Sequence, residues 1–167
     1  PMRKSTAFDA FAEGSYRGLA PLGAVLLRLC MGLLFFYAGW SKLTVEGWSA
    51  AGFLQNATGP FASWFQSLAG SGIVDALNMW GLTLLGVALL LGLLVRTASF
   101  FGIVLMVLYY FADFAGNTAH GLIDEHVVYT FVLFLFIVGG FGHVWGLDAL
   151  VERRLDNRSK WVRLFLG

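Results

Sequence analysis

Charge is scarce in this chain. Of its 167 residues, 13% are Asp, Glu, Lys or Arg and 58% are hydrophobic, where a soluble domain carries roughly 25% charged. With a mean hydropathy of +0.74, that excludes an ordinary water-soluble globule. Cysteine is nearly absent. Cys30 stands alone, so there can be no intramolecular disulfide, thioredoxin-like pair or cysteine-ligated cluster. Redox chemistry on this chain would have to use a small molecule, a bound cofactor or a partner protein. Cys30 lies inside the first apolar run and is expected to be a packing residue. Internal repeats and low-complexity tracts are also lacking, the length suits one compact domain over 1–167, and no nucleic-acid partner is expected.

What is present is apolar sequence in long runs. Four stand out, with helices expected over about 19–42, 73–95, 98–115 and 123–142. Runs of this length read as helices crossing a bilayer, which takes roughly 20 residues each. The fold class expected is therefore all-α, a polytopic membrane four-helix bundle. None of the runs reads as a cleavable signal peptide, since the first is long and follows a polar stretch.

Outside the apolar runs, lysine and arginine fall on one side only. Arg3, Lys4 and Arg17 precede the first run, Arg96 sits between the second and third, and Arg153, Arg154, Arg158, Lys160 and Arg163 follow the fourth. The intervening loops 43–72 and 116–122 contain neither residue type. By the positive-inside rule both termini are cytoplasmic, in a multi-pass protein of the cell membrane whose two longer loops face outward. The turn Val95-Arg96-Thr97 is expected to join the second and third helices as a hairpin, with Gly81, Ala88, Gly92, Ala98 and Gly102 as its close-packing residues. Loop 43–72 mixes aromatics with small and polar residues, as in a segment at the interface or folded back over the bundle. Apolar residues interleaved with the basic cluster suggest a cytoplasmic amphipathic helix over about 146–166.

Arg28 is the exception within the first run. A charge there costs several kcal/mol and is expected to face the bundle interior with a partner or a task. Arg28, Gly32, Phe35, Gly39 and Lys42 share one helical face, and the two glycines would admit another helix. Toward the outer ends of the helices polar groups gather: Lys42 and Glu46, then Asp113, then His120, Asp124, Glu125 and His126. Acids, imidazoles, a cation and a phenol are the parts needed to move protons beside an electron carrier. Lys42, Asp113 and His126 are accordingly the candidate catalytic residues. Phe35, Phe36, Tyr37, Trp40, Trp80, Tyr109 and Tyr110 crowd the same half, as would a flat apolar slot for a quinone headgroup. Arg28, Trp40, Trp80 and Tyr109 are the candidate cofactor-binding residues and quinone the candidate cofactor. Plainer readings stand beside these. Asp124 and Glu125 suit the first turn of a helix, Lys42 suits a lysine reaching the interface, and aromatics fill ordinary helix contacts. The spacing of His120 and His126 matches no specific metal motif, so no metal is assigned. His143 lies roughly 25 Å along a continuous helix from His126 and cannot join it.

The segments LLRLCMGLLFFYAGWSKL (26–43), WGLTLLGVALLLGLLVR (80–96) and GFGHVWGLDAL (140–150) together resemble the DoxX/DoxD family of small four-helix membrane proteins, most of all its archaeal members. The resemblance runs from about Leu22 to Arg153 and marks Arg28, Gly32, Gly39, Lys42, Gly92, Arg96, Gly142, Leu147 and Asp148. It implies a membrane subunit in respiratory or sulfur redox chemistry, like the membrane part of thiosulfate:quinone oxidoreductase acting with a separate DoxA-type subunit. Arg96 and Asp148 both fall on the cytoplasmic side, where a structural ion pair would explain them. Two positions depart from the family pattern. Leu82 stands where many relatives carry a Glu that would partner Arg28, and His143 stands where Arg or Lys is common.

Two functions are compatible with these residues. The first is a quinone-interacting subunit of a membrane oxidoreductase, with its site near the outer face and a partner redox subunit. The second is a non-catalytic membrane module that anchors or assembles partners. Either would associate with lipid, and a homo-oligomer is expected. Asn56-Ala57-Thr58 is an N-glycosylation sequon in the outer loop.

Overall fold

The computed structural model describes residues 19–119, 121–154, 165 and 166. The basic residues up to Arg17 and from Arg158 to Arg163, His120 and most of the tail beyond Arg154 lie outside the described residues. Within them the secondary structure is helical, with one isolated bridge between Thr58 and Asp113 and no strand. Helix α1 (Ala20–Leu43) leads through two short helices, α2 (Ala51–Gln55) and α3 (Ala62–Ser67), to α4 (Gly72–Leu91). Then follow α5 (Val95–Ala112), the single turn α6 (Phe114–Asn117), α7 (Glu125–Gly139) and α8 (Leu147–Arg154). Helices α1, α4 and α5 are each long and apolar enough to cross a membrane. With 15 residues α7 is shorter than the expected 123–142. It rises about 22 Å.

The ends of these helices have local causes. Pro21 opens α1, where its missing N–H costs nothing. Gly92 ends α4 in the left-handed conformation, at φ 63°. The link to α5 is therefore Gly92–Leu94, three residues earlier than the expected Val95–Thr97 turn, and Arg96 lies inside α5. Gly92 marks that stop locally, and Asp148 braces it from the far end of the chain, its carboxylate accepting hydrogen bonds from the N–H of Leu94 at 2.7 Å and of Val95 at 3.1 Å. Asp124 caps α7 by accepting from the Val127 N–H at 3.0 Å.

The main helix contacts pair α1 with α4 and α5 with α7. Gly39 and Gly86 make the first seam: a Cβ at Gly39 would overlap Thr83, and one at Gly86 the backbone of Phe36. At Gly102 a Cβ would meet Leu133 and Leu85. A Cβ at Gly81, by contrast, would meet nothing within 4 Å, so Gly81 is no packing glycine. Phe35, Leu85, Leu89, Met106, Leu133 and Phe136 carry the shared core, so all four apolar helices meet in it. Leu34, Phe101, Phe131 and other large side chains on the outer faces are exposed, as in a body whose solvent is lipid. Cys30 is exposed too, not the packing residue expected. It lies off the Arg28 face.

Segment 44–71 folds back over one end of the bundle as a flap. Leu54, Ala57 and Phe65 pack with Ala112 in a second apolar cluster. Ala50 N–H donates to Asp75 Oδ1 at 2.8 Å, and Thr58 N–H to the Ala112 carbonyl at 3.0 Å. Of the expected amphipathic helix, α8 is described; its first turn carries Asp148 and its last Arg153 and Arg154.

Candidate functional site

Under the flap, at the end of the bundle where α1 stops, lies an open cavity of about 440 Å³. That falls within the roughly 300–1,000 Å³ of small-molecule sites. Helix α1 brings Lys42 to it, α5 brings Tyr109 and, at its end, Asp113, and α7 brings His126. Four residues from different parts of the sequence thus line one space. The flap adds Trp48 and Phe53.

Lys42 Nζ donates to the Ala38 carbonyl at 2.7 Å and lies 5.6 Å from the centre of the Trp48 ring. The first bond is local to α1 and the second contact is a cation–π attraction. Neither uses all three ammonium donors. Asp113 closes α5 and opens α6, where its side chain accepts from the Gly116 N–H at 3.3 Å and faces the Thr58 hydroxyl at 3.4 Å. His126 Nδ1 lies 2.6 Å from Asp124 Oδ2. Since Asp124 Oδ1 already caps α7, one carboxylate both starts the helix and orients the imidazole. With Nδ1 so engaged, Nε2 is the ring nitrogen left for other partners. Capping α7 and orienting the imidazole are therefore one arrangement.

Tyr109 sets its ring edge-on to those of His126 and Phe53, at 5.9 and 6.4 Å. Its hydroxyl donates to Asn78 Oδ1, and Asn78 Nδ2 donates to the Val74 carbonyl at 2.9 Å. Asn78 and Asn117 are lining residues that the sequence reading missed. A signal existed for Asn78: it is an amide within a mostly apolar run and shares a helical face with Val74 and Leu85.

The other three candidates lie elsewhere. Trp40 and Trp80 are 51% and 55% exposed on the outer faces of α1 and α4, and Phe35 is in the core, so the expected aromatic slot is not assembled. Arg28 lies toward the opposite end and is 2% exposed. Its Nη1 donates to the carbonyls of Phe141 at 2.6 Å and Val144 at 3.0 Å, and Nη2 to that of Trp145 at 3.5 Å. Asp148 adds electrostatic attraction. The task of this buried charge is to hold the turn after α7 against α1. A Cβ at Gly92 would lie 2.7 Å from Nη1, so glycine there makes room for the guanidinium. Leu94 and Trp145, at φ 53° and 52°, flank this contact in a conformation that costs non-glycine residues about 1–3 kcal/mol. Leu82 packs in the core beside Gly39, about 15 Å along α4 from Gly92. An acid at that position would not reach Arg28. His143 also belongs to this end, with Nε2 at 2.6 Å from Glu152 Oε2, well away from His126.

Among curated proteins and among solved structures, none matches the chain. A family model described as DoxX matches residues 23–115. The matched span covers α1 to α5 and contains Lys42, Asn78, Tyr109 and Asp113, while His126 falls beyond it. Spanning more than half of the sequence, this match shows that the chain belongs to the DoxX family.

Proposed function

We propose that this DoxX-family membrane protein is a quinone-interacting subunit of a membrane oxidoreductase, with the headgroup in the cavity beneath the flap. The observation that carries the reading is the convergence of Lys42, Asp113 and His126 on a cavity walled by Trp48, Phe53 and Tyr109. The donor set suits a flat ring with two carbonyl oxygens. Lys42 keeps free donors for one oxygen, and the His126 imidazole, held through Nδ1, presents its other nitrogen for the second. When bound, a quinone takes up two electrons and two protons to become a quinol. The electrons come from an external reductant by way of a partner redox subunit, and sulfur compounds such as thiosulfate fit the family resemblance. His126 and Asp113 pass protons between the cavity and water, while the aromatic walls exclude bulk solvent.

The positive-inside distribution supports four spans with both termini cytoplasmic, which puts the cavity near the outer face. Helix α7 is short for a span. The turn from Gly140 to Gly146, pinned by Arg28, carries the chain further through the bilayer, and irregular backbone at that depth is tolerated when its carbonyls are satisfied by protein. The wide apolar outer faces fit lipid and a homo-oligomeric assembly alike.

The deciding experiment is mass spectrometry of the lipid extract from gently purified protein. Quinone in stoichiometric amount, lost on Lys42→Ala or His126→Ala, supports the redox subunit. Its absence from well-folded protein would favour a non-catalytic module that anchors or assembles partners.

A further inference from the structure

We infer that the cavity is one half of a two-chamber site, whose second chamber holds the apolar tail of the ligand. This rests on the quinone reading of the first chamber. A second space of about 230 Å³, narrower and less open, adjoins the polar cavity, and Ala50, Phe53, Asn78 and Tyr109 line both. Its remaining wall is built by Leu54, Phe65 and Leu68 of the flap and by Val74, Leu105 and Ala112 of the bundle. The two polar wall residues, Asn78 and Tyr109, are hydrogen-bonded to one another, and the other polar side chain is Trp64, whose indole lies at the rim. The rim residues Trp64, Leu77 and Leu108 are 51%, 62% and 37% exposed, so the chamber opens on the outer face of α4 and α5.

The two chambers sort chemistry by position. Lys42, Asp113 and His126 line the polar cavity and not the second chamber, whose wall is apolar apart from Asn78, Tyr109 and the Trp64 indole. A molecule with a polar ring and a hydrocarbon chain fits that division in one orientation only. An empty apolar space also forfeits dispersion contacts that a chain would restore. The chamber does not drive binding by the hydrophobic effect, because lipid tails are as apolar as its wall. Its contribution is to fix which way the ring faces Lys42 and His126. The test must therefore read position, not affinity.

The probe is a benzoquinone bearing a decyl chain with a diazirine near the ring, irradiated with the full-length protein in phospholipid nanodiscs. Headgroup binding is followed separately by quenching of Trp48 fluorescence with a tail-less benzoquinone, using Trp48→Phe as the blank. The expected result is saturable quenching together with adducts on peptides containing Leu54, Leu68 or Leu105, suppressed by excess tail-less quinone. Val74→Phe, which fills the chamber from α4, should lower those adducts about tenfold and leave the quenching unchanged. Leu68→Phe fills it from the flap and serves if Val74→Phe does not fold. Saturable quenching with adducts only on lipid-facing residues such as Phe131 and Phe134 would overturn the second chamber and leave the headgroup site standing. Chamber adducts that tail-less quinone does not suppress would also overturn it, marking a resident lipid chain. Absence of saturable quenching would sink the headgroup reading, and this inference with it.

Discussion

The guanidinium of Arg28 lies 2.6 Å from the carbonyl oxygen of Phe141, across 113 positions of sequence. A charge on α1 thereby satisfies the backbone where α7 ends, at the negative pole of that helix. Replacing Arg28 by Leu leaves the Phe141 and Val144 carbonyls unpaired in an apolar surrounding. Charge-assisted hydrogen bonds contribute about 1.5–3 kcal/mol each. The variant should lose at least about 3 kcal/mol of stability, read as a fall in melting temperature in detergent. Quinone bound per folded molecule should not change, because the cavity is at the other end. Arg28→Lys should recover only part of the loss, since a single ammonium cannot span three carbonyls as the planar fork does.

Two glycines on α4 should respond in opposite ways. Gly86→Ala pushes a methyl into the backbone of Phe36 and should destabilise the α1–α4 seam by about 1–3 kcal/mol. Gly81→Ala meets open space and should leave the melting temperature unchanged or raised by the better helix propensity. Equal melting of both variants would contradict the seam.

Asp124 offers a separation of cap from chemistry. Asp124→Asn retains an oxygen for the Val127 N–H, so stability should hold within a few tenths of a kcal/mol. The negative partner of His126 is removed, and quinone turnover should fall. Asp124→Ala should lose about 1 kcal/mol of stability as well. Full turnover in Asp124→Asn would show that the carboxylate serves α7 alone.

Lys42→Met keeps the length and apolar stem of the side chain and discards the charge. Headgroup binding measured by Trp48 quenching should weaken about tenfold, the equivalent of one charge-assisted hydrogen bond. Stability should fall by no more than about 1 kcal/mol, because the only hydrogen bond of the Lys42 ammonium among the described residues is to its own helix and its contact with the flap is the cation–π one to Trp48.

Sidedness can be read chemically. With Cys30 replaced by Ala, a cysteine at Gly47 or Thr118 should react with a membrane-impermeant maleimide from outside intact cells. A cysteine at Arg153 should react only after lysis. The reverse pattern would invert the topology and move the cavity to the cytoplasmic face.

Much of this organisation was legible in the residues. Gly32 and Gly39 on the Arg28 face do admit α4, and of the two placements that Trp48, Phe53 and Phe65 among small residues allowed for segment 44–71, at the interface or folded back, the second is observed. Lys42, Tyr109, Asp113 and His126 could be brought together because helix topology puts the ends of α1 and α5 and the start of α7 on one side. What escaped were decisions made by distant partners. The α4–α5 link begins at Gly92, a stop hidden within an apolar run, and is braced by Asp148 from far along the chain, which local hydropathy does not register. The exposure of Trp40 and Trp80 depends on helix rotation, and aromatic content says nothing about rotation. Asn78 was passed over because a single amide barely alters the hydropathy of its run.

Asp113 joins two structures that would otherwise be independent. It faces the cavity, and through the Thr58 hydroxyl, which in turn accepts from the Ala115 N–H at 2.9 Å, it fastens the flap to the bundle. Opening the flap and uncovering the carboxylate are therefore one movement: the acid that faces the cavity is also its latch.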